Sequence, residues 1–375
     1  MFLPMAMTAK AMVSTSKQPR VSFANAGGRV AHGHHGNPEY NALWETEGVE
    51  VQDVSLQLVQ GKLPDDLQGN FYVNGPGLMS FDGRRSIHPF DGHGFIRKFH
   101  FKDGKATLTS RFVQTKDYIK EKEAGKILGR GTGTVPIDPE VTTRRDKAHQ
   151  AVDLDETLFG IHVANAGEIV TDEKQRKLLI EACTSTTHDF GYEFGYDPMA
   201  AETADFLDPS GSGTDDFTSL LTISIDLDEL KIDSIQSRYE RSSDFVHSPS
   251  RQVGERSNYV YFSASTDSET PFPFNAASKL DVQTGKVTEW VAPKGEAVGE
   301  AFFVPRNDGD NNVSDDDDGY LLTCAYNTKE SHTDLVVIDA KSMEKVAKMR
   351  YDALLPLGFR GWLDDDDDDT TQLRP

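Results

Sequence analysis

Histidine is the residue type in this chain best suited to chemistry, and one histidine stands in an unusual setting. His162 lies in Phe159-Gly-Ile-His162-Val-Ala-Asn165-Ala-Gly-Glu168, an apolar strand-like segment. An imidazole there either hydrogen-bonds within a core or offers a ring nitrogen to a metal. Glu300 stands beside Phe302 and Phe303, and a carboxylate among aromatics is costly to bury unpaired. It requires a donor, which is either an imidazole or an arginine. His88, His93, His100, His188, His247 and His332 are scattered, so only the fold could bring them together; His149 stands in Lys147-Ala-His149-Gln. His32, His34 and His35 cluster in sequence but lack neighbours to orient them, and a metal ligand needs that support. Asp308-Gly-Asp310-Asn-Asn312 opens like a calcium loop. Val313 then replaces the turn glycine and Gly319 the closing glutamate, so it reads as a solvated hairpin loop.

The elements that must position these groups are short strands. Gly94–Phe101, Lys105–Val113, Leu178–Ala182, Tyr259–Ser263, Tyr320–Tyr326 and Leu335–Asp339 read as β, and Asp117–Ala124 is the one convincing helix. Asn74-Gly75-Pro76-Gly77 reads as a reversal after a strand ending at Val73, and Asp91-Gly92 as a hairpin turn feeding the next strand. Gly75, Gly77, Gly92 and Gly94 serve turn geometry, with His88 and Asp91 as turn stabilisers, because no glycine-rich phosphate loop opens a helix. The balance predicts an all-β architecture. The strand spacing suits a propeller of four-stranded blades, and at about 40–50 residues per blade the chain has room for at most seven.

Three regions divide the chain. Residues 1–36 carry Lys10, Lys17, Arg20 and Arg29 and no acidic residue, a composition of an organellar transit peptide or of a disordered arm. Residues 37–362 hold the strands, and residues 363–375 form a self-repelling acidic tail. The formal charge of −22, from 39 basic and 61 acidic residues, excludes a nucleic-acid binder. Part of that charge sits in the tracts Asp315–Asp318 and Asp364–Asp369. Two cysteines, Cys183 and Cys324, build no disulfide framework, and no apolar run is long enough to span a bilayer.

Several motifs in order resemble the carotenoid cleavage oxygenase family. They begin with Gly69-Asn-Phe-Tyr-Val-Asn-Gly-Pro-Gly77 and His88-Pro-Phe-Asp-Gly-His-Gly-Phe95, followed by Ser110-Arg111-Phe-Val-Gln-Thr115. The segment Phe159–Glu168 resembles the family's His-x-x-Asn-Ala-x-Glu motif, and Gly299-Glu300-Ala-Phe-Phe-Val304-Pro305 its Gly-Glu-Pro-x-Phe-Val-Pro segment. Lys279–Gly285, Asp318–Leu322, Leu335–Ala340 and Leu355-Pro-Leu-Gly-Phe-Arg-Gly361 follow, so the similarity covers most of residues 60–362. The resemblance implies a seven-bladed β-propeller, incomplete here, and a monomer. It implies Fe(2+) held by four histidines, with His162 as a metal ligand and Glu300 behind a ligand histidine. The implied activity is a non-haem iron dioxygenase that uses O2 to split a C=C bond of a carotenoid or apocarotenoid. A plastid location and peripheral membrane contact for taking up the lipid-soluble substrate go with it.

The chain departs from that pattern at the metal. Between Val113 and His162, where the family carries two ligand histidines, only His149 occurs. His188-Asp189-Phe190 echoes a ligand motif but follows His162 instead of preceding it. At Gly358-Phe-Arg360-Gly361 an arginine occupies the place of the fourth ligand, unless the motif merely precedes a later His-Gly; a guanidinium stays protonated and repels a dication. Val246-His247-Ser-Pro249 stands where the family has Glu-Phe-Pro, which places His247 at a supporting carboxylate's position. The alternative function is therefore a non-catalytic or truncated relative that lacks a complete iron site and binds an apolar polyene.

Overall fold

The computed structural model describes residues 42–43, 46–126, 128 and 159–364, apart from 79, 82–83, 86–91, 173, 186–217, 250–256, 268–271 and 307–315. His32, His34, His35, His88, Asp91, His149, His188, the loop from Asp308, the arm 1–36 and the tail beyond 364 lie outside the described residues.

Four antiparallel sheets account for the described chain. The first runs β1 (Val51–Ser55), β7 (Lys105–Phe112), β6 (His93–Lys102), β3 (Gly69–Leu78), β21 (Arg360–Asp364). The second runs β11 (Lys231–Ser237), β10 (Ser219–Asp226), β9 (Arg176–Ser185), β8 (Phe159–Val170). The third runs β12 (Ser243–His247), β13 (Tyr259–Ala264), β14 (Ala276–Asp281), β15 (Val287–Val291). In the fourth, β16 (Glu296–Val298) and β17 (Phe302–Pro305) both pair with β18 (Gly319–Asn327), followed by β19 (His332–Asp339), β20 (Glu344–Tyr351) and β2 (Gln57–Gly61). A small ladder joins β4 (Ser80–Phe81) and β5 (Arg84–Arg85). Each of the six strands read from the sequence is present, and the fold is an all-β propeller.

Burial explains why these segments are strands. In β6 the inward side chains alternate: Phe95, Arg97, Phe99 and Phe101 are fully buried, with half-exposed residues between. β18 and β19 are buried on both faces and read as near-continuous apolar runs. The predicted reversal at Asn74–Gly77 does not occur. β3 continues through it to Leu78, and Pro76, which has no N–H to give, sits where the ladder with β6 shifts register. The glycines serve close approach instead: a Cβ on Gly75 would lie 2.5 Å from the Leu357 carbonyl oxygen, and one on Gly77 would lie 2.3 Å from the Phe95 Cβ.

The ring is joined from both ends of the chain. β21 adds to β3, while β2 adds to β20 of another sheet. Arg97 ties the first join to the approach of β21: its Nη2 donates to the Pro356 carbonyl at 2.6 Å and to that of Leu357 at 3.4 Å. The helix α1 (Lys116–Ala124) opens on Thr115, whose hydroxyl accepts from the Tyr118 amide at 3.1 Å, and closes on Gly125 in the left-handed region. Thr115→Ala is expected to cost about 1 kcal/mol locally, read as faster amide exchange in α1 with little change at β18.

Candidate functional site

The residues of chemical interest lie on the outermost strand of each sheet. His162 is on β8, Asp244 and His247 on β12, Glu300 between β16 and β17, and Arg360 opens β21. These edge strands meet: β8 packs against β12, and β17 against β21. Each of these strands ends its sheet, so their residues share the region where the sheets meet.

β8 and β12 are irregular where they carry these residues, whereas β21 pairs with β3 in regular register. On β8, Gly160 faces Thr184 and His162 faces Cys183, and the register shifts again between Val163 and Asn165. His162 therefore stands between two bulges, which re-aim a side chain that a regular pleat would fix. On β12, Asp244 faces Ser263 and His247 faces Tyr261, so three steps on one strand span two on the other. Residues three apart in a regular strand point to opposite faces; this bulge turns Asp244 and His247 to the same side. Phe245 absorbs the distortion at φ 54°, buried among the rings of His162, Phe274 and Phe359. A non-glycine residue held in that region marks local strain of the kind found at functional sites. Gly299, Glu300 and Ala301 interrupt the pairing with β18 between the end of β16 and the start of β17.

His162 Nδ1 lies 2.7 Å from Asp244 Oδ1, and the Asp244 carboxylate is almost fully buried. An acceptor on that side places the proton on Nδ1 and leaves the Nε2 lone pair free to take a metal or a proton. The sequence reading assigned the supporting carboxylate's place to His247. In the fold it is Asp244, three residues earlier, that meets the ring. A run of Asp-Phe-Val-His has no visible period, and only the bulge makes Asp244 a site residue.

His247 stacks on Phe302 with ring centroids 4.8 Å apart. Burial, and then the charge of Arg360, lower its pKa to about 4, so it is a neutral imidazole at physiological pH. Glu300 finds the arginine of its two possible donors: Oε1 accepts from Arg360 Nη1 at 3.2 Å and Oε2 from the Gly361 amide at 2.6 Å. Burial still raises its pKa to about 7, against the opposing pull of Arg360 and the amide. Cys183, opposite His162 on β9, is a buried thiol pushed up by desolvation and by Asp244, so it offers no thiolate.

The other described histidines are elsewhere. His93 Nε2 pairs with Glu121 of α1 at 2.8 Å, and His100 Nδ1 with Asn70 Oδ1 at 3.0 Å. His332 stands with Glu296 and Asp334 in a buried group of metal-ligand type. That group already holds a cation: Lys348 Nζ is 2.6 Å from Asp334 Oδ2 and 3.2 Å from Glu296 Oε1, and Arg350 takes the other Asp334 oxygen at 2.9 Å. Among the described residues, then, the shared space holds two imidazoles and a guanidinium. His162 backed by Asp244 has the form of a metal ligand, but Arg360 puts a permanent positive charge beside it. This set does not fit a ferrous ion held by four neutral imidazoles.

An all-β propeller with imidazoles and carboxylates on its inner strand edges defines the class of protein. The chain belongs to the retinal pigment epithelial membrane protein family, whose sequence profile matches residues 45–151 and 140–363. Similar curated proteins include the apocarotenoid-15,15'-oxygenase of Synechocystis, 45% identical over 80 residues, which are 21% of this chain and 16% of that protein. The chloroplastic carotenoid cleavage dioxygenase 7 of Arabidopsis thaliana is 31% identical over 237 residues, 57% of this chain and 37% of that one. The chain thus matches well under half the length of these relatives. Among solved structures, a single-residue variant of the Synechocystis apocarotenoid oxygenase superposes with a TM-score of 0.71 at 19% identity, over 87% of this chain and 98% of that one. A cobalt-substituted form of the same Synechocystis protein gives 0.69 at 19% identity, over the same shares. These likenesses establish the shared fold.

Proposed function

We propose that the chain binds a carotenoid or apocarotenoid where its inner strand edges meet, and does so without the four-histidine ferrous centre. The observation that carries this reading is Arg360, paired with Glu300 on β21 at the place of the family's fourth ligand. A fixed cation there opposes a dication and leaves an apolar ligand unaffected. The relatives' names point to carotenoids as the ligand class, and the half-buried Phe302, stacked on His247, gives the site an aromatic surface on which a polyene can lie. The chloroplastic relative and the composition of residues 1–36 support placement in the plastid.

The His162–Asp244 pair favours a second reading, an iron-dependent oxygenase that splits a carotenoid double bond with O2, in which His162 is a metal ligand and Glu300 a supporting carboxylate. Anaerobic loading with Fe(II), followed by desalting and metal analysis, separates the two. The first reading expects iron well below one per chain, and bound β-carotene recovered intact in air. Near-stoichiometric iron that falls in His162→Ala, with aldehyde products from the polyene, would replace it with the second.

A further inference from the structure

We infer that Arg360 selects polyenes that end in a carboxylate; this rests on the polyene-binding reading above and names the ligand class for the same site. Glu300 does not exhaust Arg360. The Arg360 side chain is 46% exposed against 5% for that of Glu300, so much of the guanidinium stays accessible beyond the buried carboxyl. Only Nη1 meets Glu300, at 3.2 Å, and Nε and Nη2 have no partner among the described residues. The shorter bond to Glu300 comes from the Gly361 amide at 2.6 Å, so the carboxyl keeps a donor when the arginine turns to a second acceptor.

His247, which feels the charge of Arg360, is a neutral imidazole at physiological pH and adds no second cation. An apolar chain lying on Phe302, whose ring stacks on His247, ends near a planar fork of donors. A carboxylate accepts that fork in two parallel bonds. A hydrocarbon end desolvates the cation and returns nothing, and an alcohol returns at most one bond, to an uncharged oxygen.

The test uses the full chain and two ligands with the same polyene, all-trans-retinoic acid and all-trans-retinol, titrated by quenching of tryptophan fluorescence at about pH 8, where the acid is ionised. Trp362, two residues from Arg360 on the same strand, serves as reporter. The acid is expected to bind about tenfold to a hundredfold tighter than the alcohol, the range that charge-assisted bonds supply. Arg360→Gln should bring the ratio of acid to alcohol affinity close to one. Arg360→Lys, which keeps the charge and loses the fork, should fall between. Equal affinity for both ligands in the unaltered chain overturns the inference and leaves polyene binding standing. Binding of neither ligand, nor of β-carotene, removes both.

Discussion

Glu300→Gln is expected to stabilise the protein at alkaline pH and to leave it nearly unchanged in acid. The cause is the difference between a carboxyl that titrates near 4.5 in the unfolded chain and near about 7 in the folded one. Below pH 4.5 both states are protonated, and the group contributes nothing to the pH dependence. Between 4.5 and about 7 the unfolded chain gives up the proton while the folded chain must hold it, so stability falls as pH rises. Above that range the loss levels off at about 3 kcal/mol, taking 1.4 kcal/mol per unit of displacement. Glutamine keeps an acceptor for the Gly361 amide and never ionises. The measurement is the urea midpoint of both proteins from about pH 5 to about pH 8. A gap that widens with pH is the expected result. A constant gap would mean that Arg360 and the amide fully offset the burial of the carboxylate.

The largest expected loss of stability follows from Arg97→Ala. Arg97 is fully buried, and no carboxylate among the described residues meets it. Cys324 is pushed up to about 11 by burial and Tyr326 is raised for the same reason, so neither supplies a negative charge near neutral pH. The guanidinium is held instead by the two carbonyls before Gly358 and by the Phe95 ring, with its centroid 5.1 Å away. Truncation to alanine leaves those carbonyls without a donor and opens a hole between β6 and the segment that leads into β21. Together these cost about 3–5 kcal/mol. Arg97→Met, which fills the hole without restoring the bonds, should recover roughly half of that. Denaturation midpoints rank the three proteins. An alanine variant as stable as the parent would show that the buried charge costs as much as its contacts return.

The fold was legible in the sequence wherever burial imposes a period. The alternation in β6 and the apolar runs of β18 and β19 announce strands, and the helix over Asp117–Ala124 is found one residue longer at its start. The reading failed at Asn74–Gly77, because glycine answers two demands and only one was considered. A reversal needs positive φ, whereas a crowded strand needs the absence of a Cβ, and here the crowd is Phe95 and the Leu357 carbonyl. The candidate site was legible in part. His162, Glu300 and Arg360 were each identifiable, yet their pairing was not, since Asp244 reaches His162 across 82 positions and Arg360 reaches Glu300 across 60. Bulges at Gly160–His162 and Asp244–His247 decide the first of those meetings, and a bulge leaves no regular trace in the order of residues.

The closing strand has a consequence for how this protein is made. β21 supplies Arg360 and also covers the bare edge of β3, some 280 positions upstream by the register of Asn74 with Arg360. During synthesis at about 5–20 residues per second that edge waits many seconds for its partner. An uncovered strand invites pairing with another chain. A holding chaperone should therefore raise the yield of monomer most for chains stalled or cut short before Leu355, and least once Asp364 has cleared the ribosome.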